Sequence, residues 1–293
     1  MNLSETHQQA HSSPLSSHST TGGFRVSGAT PIGDATLPLV SVITAVFNGD
    51  PYLEKCLDSV ANQDYSNIEH IVIDGGSSDG TLDILKTNSE RITFWKSERD
   101  NGIYDAWNKG LAESRGDWIC FLGADDEFLP GAISTYMVLA ALNPEAEFLS
   151  SRIRVVYPSG YVKTVGEPWH WQKFSRFMCA VHTGSMHRRT LFERNGVFDT
   201  SYRSAGDYEF LLRARGDLKA AFTREVTVIM HAGGASTTSQ ALREKARAKV
   251  VTGGRSKFLT SIEHLLDMTQ YAARPLLYFL RGIAVRFRRK RER

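Results

Sequence analysis

Cysteine is scarce: Cys56, Cys120 and Cys179 are the only three in 293 residues. They are too scattered for a disulfide framework, and none stands in the CxxC or Cys/His spacing of a zinc site. That scarcity fits a reducing, cytosolic setting. Long apolar runs are missing as well. No stretch reaches the roughly 20 residues that span a bilayer, and the N-terminus lacks the basic and apolar regions of a secretory signal. There is no internal repeat, which excludes a solenoid. No Ser/His or Cys/His arrangement of recognisable spacing offers a covalent nucleophile, and no Gly-rich, Lys-bearing loop offers a phosphate cradle of the nucleotidyltransferase kind.

What is present is 41% apolar residues, enough for a substantial core. The net charge of +3 is uneven: Arg281 to Arg293 carries seven Lys or Arg against one Glu, so this short segment is +6 and the rest of the chain sums to −3. A basic tail on a mildly acidic body argues against a general nucleic-acid surface and for a local electrostatic contact. Residues 1–37 are rich in Ser, Thr, His and Gly with few large apolar groups, which predicts a disordered leader.

From Pro38 the texture changes. "LVSVITAVF" (39–47), "IEHIVID" (68–74), "RITFWKSE" (91–98) and "DWICFLG" (117–123) read as strands. Between them, "YLEKCLDSVANQ" (52–63) carries helix-spaced Leu53, Cys56, Leu57 and Val60, Ser78 or Asp79 is placed to cap a helix, and "IYDAWNKGLAES" puts Ile103, Trp107 and Leu111 on one face. Alternating helices and continuously apolar strands predict an α/β layer with a mostly parallel sheet buried on both faces. Past Pro130 the pattern predicts a helix over about 131–142, a hairpin turn at Tyr157-Pro-Ser-Gly160, helices in "RRTLFERNG" and "DYEFLLRARGD", and a strand in "EVTVIMHAGGAS".

Ligands of such sheets bind beyond the carboxyl ends of the strands, and four loops supply polar residues there: Asn48 and Gly49, Asp74 to Ser78, Arg99 to Asn101, and Asp125 with Asp126. Turns are made of such residues anyway; it is the four loops together, dense in acids, that point to a site. Adjacent carboxylates repel unless a cation relieves them. Oxygen ligands of this kind suit Mn2+ or Mg2+, which share their shell with phosphate oxygens. An exposed acidic turn is the alternative.

The segments "VSVITAVFNG", "IEHIVIDGGSSDGT", "ERDNGIYDAWNKGLAESRGDWICFLGADD" and "RSAGDYEFLLR" closely resemble the family 2 glycosyltransferases of the GT-A fold, especially the branch found in bacterial exopolysaccharide clusters such as that for colanic acid. The resemblance spans Pro38 to Ala235. It implies a GT-A domain over 38–235, with a nucleotide-binding half (38–130) and an acceptor half (131–235), followed by a C-terminal helical region over 236–293. By the same resemblance Ala45, Phe47, Asn48 and Asp74 hold the base and ribose, with Gly75 where some members carry a second acid. Asp100, Tyr104 and Asn108 line the nucleotide-sugar pocket. Asp125 and Asp126 hold the divalent ion, joined by His231, with Asp125 also reaching the donor. Asp207 is the catalytic base, and His182 lines the acceptor side. Two positions depart from the family pattern, Gly123 in the metal motif and Gly206 beside Asp207, where members carry acids.

Read from the residues alone, Asp207 is a plain helix N-cap rather than a base, and His182 is equally a structural histidine. The tail "RPLLYFLRGIAVRFRRKRER" reads as an interfacial helix on the anionic inner leaflet or as a packed helix with a solvated charge run. The expectation is a metal-dependent inverting transferase, peripheral on the cytoplasmic face of the inner membrane. It would take a nucleoside-diphosphate-sugar donor and a saccharide or lipid-linked oligosaccharide acceptor in cell-surface polysaccharide synthesis. A nucleotidyltransferase and a non-catalytic nucleotide-sugar binder are the rivals.

Overall fold

The computed structural model describes residues 19–28, 36–233 and 238–272. In chain order its elements are β1 (Thr20–Gly22), β2 (Val40–Val46), α1 (Leu53–Ala61), β3 (Ile68–Asp74), α2 (Thr81–Thr87), β4 (Phe94–Ser97), α3 (Ile103–Glu113), β5 (Trp118–Gly123), β6 (Glu127–Phe128) and α4 (Ala132–Leu142). There follow β7 (Phe148–Val156), β8 (Val162–Val165), α5 (Trp171–Phe174), β9 (Met186–Arg188), α6 (Arg189–Asn195), α7 (Gly206–Ala214), β10 (Ala220–His231) and α8 (Ser239–Val251). A last helix, α9, runs over 257–272.

The strands form one sheet in the order β1-β4-β3-β2-β5-β9-β7-β10-β6, with β8 paired to β7. The four strands β4-β3-β2-β5 are mutually parallel, so their carboxyl ends share one edge. Beyond β5 the sheet is mixed: β9 runs antiparallel to both β5 and β7, and β7 and β10 are parallel. The β-branched run of β2 is buried along nearly its whole length, because helices cover both faces. α1 buries Leu53, Cys56, Leu57 and Val60, the spacing of one helical stripe. α3 lies so close to the sheet that a Cβ on Gly110 would stand 2.4 Å from Ile43 Cγ2. Only glycine permits that approach.

Two expectations need correction. The strand expected over 91–98 is confined to Phe94–Ser97. The leader expected to be structureless over 1–37 contributes β1, which pairs antiparallel with β4. Its Gly22 sits against the Trp95 ring, where a Cβ would come within 2.4 Å. Arg25 explains the docking: its guanidinium lies 4.6 Å from the Phe94 ring centroid and 3.0 Å from the Glu113 carboxylate. A cation and a glycine cleft hold this piece where composition alone suggested nothing would. The turn at Tyr157 to Gly160 closes the β7–β8 hairpin, with Gly160 at φ 78°. α8 and α9 form the described part of the helical region after 235, whereas the basic tail over 274–293 lies outside the described residues.

Candidate active site

The loops after β2, β3 and β4 and the start of α3 enclose a cavity of about 620 Å3 lined by Ala45, Phe47, Gly75, Asp100 and Arg203, among others. Gly75 is what opens it to Asp100, since a Cβ there would lie 2.5 Å from Asp100 Oδ2. The Gly102 N–H donates to Asp100 Oδ1 at 2.8 Å, and burial raises the Asp100 carboxyl above the usual carboxylate range. Three residues expected in this cavity do other work. Asp74 is fully buried and accepts from the Ser77 and Ser97 hydroxyls, so it ties two loops together. Asn48, in the left-handed region at φ 52°, accepts from the Ser78 N–H at 2.9 Å and holds the β2 loop to the β3 loop. Asn108 donates to the Phe198 carbonyl at 2.9 Å and accepts from the Phe198 N–H at 3.0 Å, clamping α3 to the loop before α7. Asp74 shapes the walls through side-chain hydroxyls, Asn48 and Asn108 through backbone groups of the neighbouring loops.

A second cavity, of about 370 Å3, shares Ile103 and Arg203 with the first and brings together Tyr104, Asp125, Asp126, His182, Asp207 and His231. The acid pair converges here. A Cβ on Gly123 would meet Asp126 Oδ2 at 2.8 Å and Asp125 Oδ1 at 3.0 Å, so both carboxylates turn over the place where the family pattern puts a third acid. Burial, and then the charge of Asp125, push the Asp126 carboxyl up to about 7. His231 arrives on β10, which pairs with β6 directly after the acids. Its N–H donates to Asp126 Oδ1 at 3.1 Å, and its ring Nδ1 lies 2.6 Å from the Asp125 carbonyl. A carbonyl can only accept, so Nδ1 is the donor, and the ring is oriented with Nε2 as its other nitrogen.

Among the described residues no three His, Cys, Asp or Glu side chains stand as a preformed metal cage. The donor set nonetheless fits a hard divalent ion that completes its shell elsewhere. Two carboxylates crowd over a glycine, and burial together with the neighbouring Asp125 charge raises the proton affinity of Asp126. An imidazole oriented through its other nitrogen stands beside them.

Asp207 lies in the first turn of α7 and lines the same cavity. The Tyr104 hydroxyl donates to Asp207 Oδ1 at 3.0 Å, and burial raises the Asp207 carboxyl above its ordinary range. The Tyr104 ring also fills the second departure from the family pattern, since a Cβ on Gly206 would come within 2.9 Å of it. Asp207 is not the N-cap, because α7 begins at Gly206 with Ala205 at the cap position, and the chain entering the helix is held by a residue about 40 positions away. Glu244 of α8, nearly buried, accepts from the N–H groups of Arg203, Ser204 and Ala205 at 2.7 to 3.1 Å. A carboxylate at that end also suits the helix dipole. Sequence reading missed both Glu244 and Arg203. Arg203 had a signal, standing four residues before Asp207 in the quoted motif; Glu244 had none within its own neighbourhood.

His182 is packed as a structural histidine and also lines the second cavity. Its ring stacks on Trp107 and Phe121 at centroid distances of 5.0 and 5.3 Å, and burial pushes it down to about 3, so it is neutral. Its Nε2 finds no partner among the described residues while the residue lines the cavity. An unpaired, buried, neutral nitrogen at a cavity wall is a hydrogen-bonding position for whatever fills the space.

Residues 41–195 match the family described as glycosyl transferase family 2. The PGL/p-HBAD biosynthesis glycosyltransferase of Mycobacterium bovis is 32% identical over 215 residues, covering 69% of this chain and 80% of that protein. A glucuronosyltransferase of Methanococcus voltae, named as acting on dolichyl N-acetyl-alpha-D-glucosaminyl phosphate, is 30% identical over 59% of this chain and 60% of its own. Among solved structures, S. aureus TarS in complex with UDP-GlcNAc superposes with a TM-score of 0.60 at 17% identity, covering 77% of this chain and 70% of that one. The mannosyltransferase PcManGT from Pyrobaculum calidifontis, in complex with GDP-Man and Mn2+, gives a TM-score of 0.55 at 17% identity over 89% and 86% of the two chains. These structures share the fold, and with the matched residues and the mycobacterial relative they make the chain a member of glycosyl transferase family 2.

Proposed function

We propose that this glycosyltransferase moves a sugar from a nucleoside diphosphate to a hydroxyl of a saccharide acceptor, with inversion and with help from a divalent ion. One observation carries the reading: Asp207 and the pair Asp125 and Asp126 line a single cavity that adjoins the larger cavity at Arg203. Inversion needs an acceptor hydroxyl deprotonated on one face of the anomeric carbon while a diphosphate leaves from the other. Asp207 takes that proton, and burial, which raises its affinity for protons, strengthens it as a base. Tyr104 holds the Asp207 carboxylate in one orientation. The nucleotide lies in the 620 Å3 cavity beside Ala45, Phe47 and Asp100, and Arg203, between the cavities, faces the diphosphate. Asp125, Asp126 and His231 would hold Mn2+ or Mg2+, which would supply positive charge beside the leaving diphosphate.

The solved neighbours are named with UDP-GlcNAc and with GDP-Man and Mn2+, which supports a nucleotide-sugar donor and a divalent cofactor. The methanococcal relative is named for a lipid-phosphate-linked sugar, and a lipid-linked glycan as acceptor would place the enzyme on the cytoplasmic face of a membrane, in cell-surface polysaccharide or glycolipid synthesis. The rival reading of a non-catalytic binder drew on the glycines at 123 and 206. In the folded chain those spaces are occupied by the remaining acids and by Tyr104.

The test is a panel of nucleotide sugars scored for Mn2+-dependent thermal stabilisation and for slow donor hydrolysis, repeated with Asp207→Asn. The expected result is one responding donor, stabilisation retained in the variant and transfer abolished. Unchanged transfer by Asp207→Asn removes Asp207 as the base, and a panel with no response removes the transferase reading.

A further inference from the structure

α9 wears its amphipathicity inside out. Toward the protein it turns polar groups: Thr260 is 2% exposed, and the Glu263 carboxylate meets Lys249 at 3.1 Å, Arg255 at 2.5 Å and Arg176 at 3.5 Å. Away from the protein it turns Phe258, Leu259, Ile262, Leu265 and Leu266, which are 45 to 73% exposed. At 100° per residue these five fall within an arc of roughly 120°, the width of stripe that a globular helix ordinarily buries in its own core. The ion pairs to Glu263 come from α8, from the turn before α9 and from the chain after α5. They fix the orientation, so the stripe cannot roll inward without breaking them.

We infer that this stripe is a docking face for an anionic lipid bilayer, with α9 lying flat on the surface. The charge of the chain selects that occupant. α9 runs directly into residues 273–293, whose last thirteen positions carry a net +6. An anionic leaflet complements that segment, whereas a second copy of the chain seated on the stripe would bring two such segments together. Lys257, exposed at the start of α9, adds to the same sign. No helix among the described residues is long and apolar enough to cross a membrane, and a stripe of this kind binds in the interface without spanning it. The inference is independent of the transfer chemistry.

The full chain is tested by co-sedimentation with phosphatidylcholine vesicles, with and without a minority of phosphatidylglycerol, beside the triple variant Phe258→Ser, Ile262→Ser, Leu265→Ser. These side chains are exposed, so the variant keeps its circular dichroism and melting temperature. Wild type should sediment with the anionic vesicles and hardly with the neutral ones, and the variant should lose about tenfold or more in partitioning. Equal partitioning of the two proteins overturns the inference and leaves the tail as the sole contact. Light scattering without vesicles that shows a wild-type dimer and a monomeric variant overturns it too, in favour of a second copy. Neither readout uses donor or turnover, so failure here is distinct from failure of the transferase reading.

Discussion

Removing a single hydroxyl tests the catalytic assignment most directly. In Tyr104→Phe the ring that packs over Gly206 stays, while the donor to Asp207 Oδ1 at 3.0 Å is lost. Burial holds the Tyr104 phenol well above its usual range, so it remains a neutral O–H donor. That bond favours ionised Asp207 and partly opposes the effect of burial. A hydrogen bond to a charged group contributes about 1.5 to 3 kcal/mol. Since Asp207 lies at a solvent-accessible cavity, the lower end applies, which corresponds to roughly one pH unit. The sign follows from the role. A base works ionised, so activity falls as pH drops through its pKa, and raising that pKa moves the acid limb to higher pH. The assay is nucleoside diphosphate release under kcat/KM conditions from about pH 5 to 9. The expected profile shows an acid limb displaced upward by about one unit, with rates at the alkaline end within a few fold of wild type. An unmoved limb, with activity reduced by one factor at every pH, refutes the reasoning that Asp207 is the base oriented by Tyr104.

Glu244→Ala strands three backbone N–H groups ahead of α7 and should lower stability by roughly 3 kcal/mol in urea unfolding, with Glu244→Gln recovering part of the loss because its amide oxygen still accepts. Gly123→Ala introduces a Cβ 2.8 to 3.0 Å from the mobile ends of the Asp126 and Asp125 carboxylates. Those ends move aside readily, so the melting temperature should hardly change while the Mn2+-dependent stabilisation falls by about tenfold in apparent affinity. Two buried histidines, His70 and His182, are each pushed down to about 3 by burial. A base whose folded pKa is depressed stays neutral in the fold and gains a proton on unfolding, so stability present above about pH 6.5 is lost as pH falls toward 3. Between pH 6.5 and 5 each histidine should remove roughly 2 kcal/mol, and His182→Phe should flatten its share of that decline in urea midpoints measured at the two pH values.

Strand and helix positions were readable because their signals are local. The β-branched run of β2 and the Leu53, Cys56, Leu57, Val60 stripe of α1 each declare themselves within a dozen residues. The acids after β5 were readable for the same reason, since a parallel sheet puts every strand's carboxyl end on one edge. Family motifs singled out Asp207 and His231, which line one cavity, though not the way either is held. Asp74, Asn48 and Asn108 show the limit: a polar residue at the right loop is equally able to face the ligand or to grip the neighbouring loop, and here all three grip.

The sequence alone therefore determined the α/β alternation, the sheet edge to which the loops converge, and the acids that stand there. The tertiary structure decided who meets whom. Pairing of β10 with β6 sets His231 on the Asp125 carbonyl across 106 residues, Tyr104 meets Asp207 across 103, and Glu244 reaches the entrance of α7 across 40. It also turned the apolar side of α9 outward, because three cations hold Glu263 inward. Periodicity is written between near neighbours in the chain, whereas these contacts depend on how distant elements pack, and no local pattern records that.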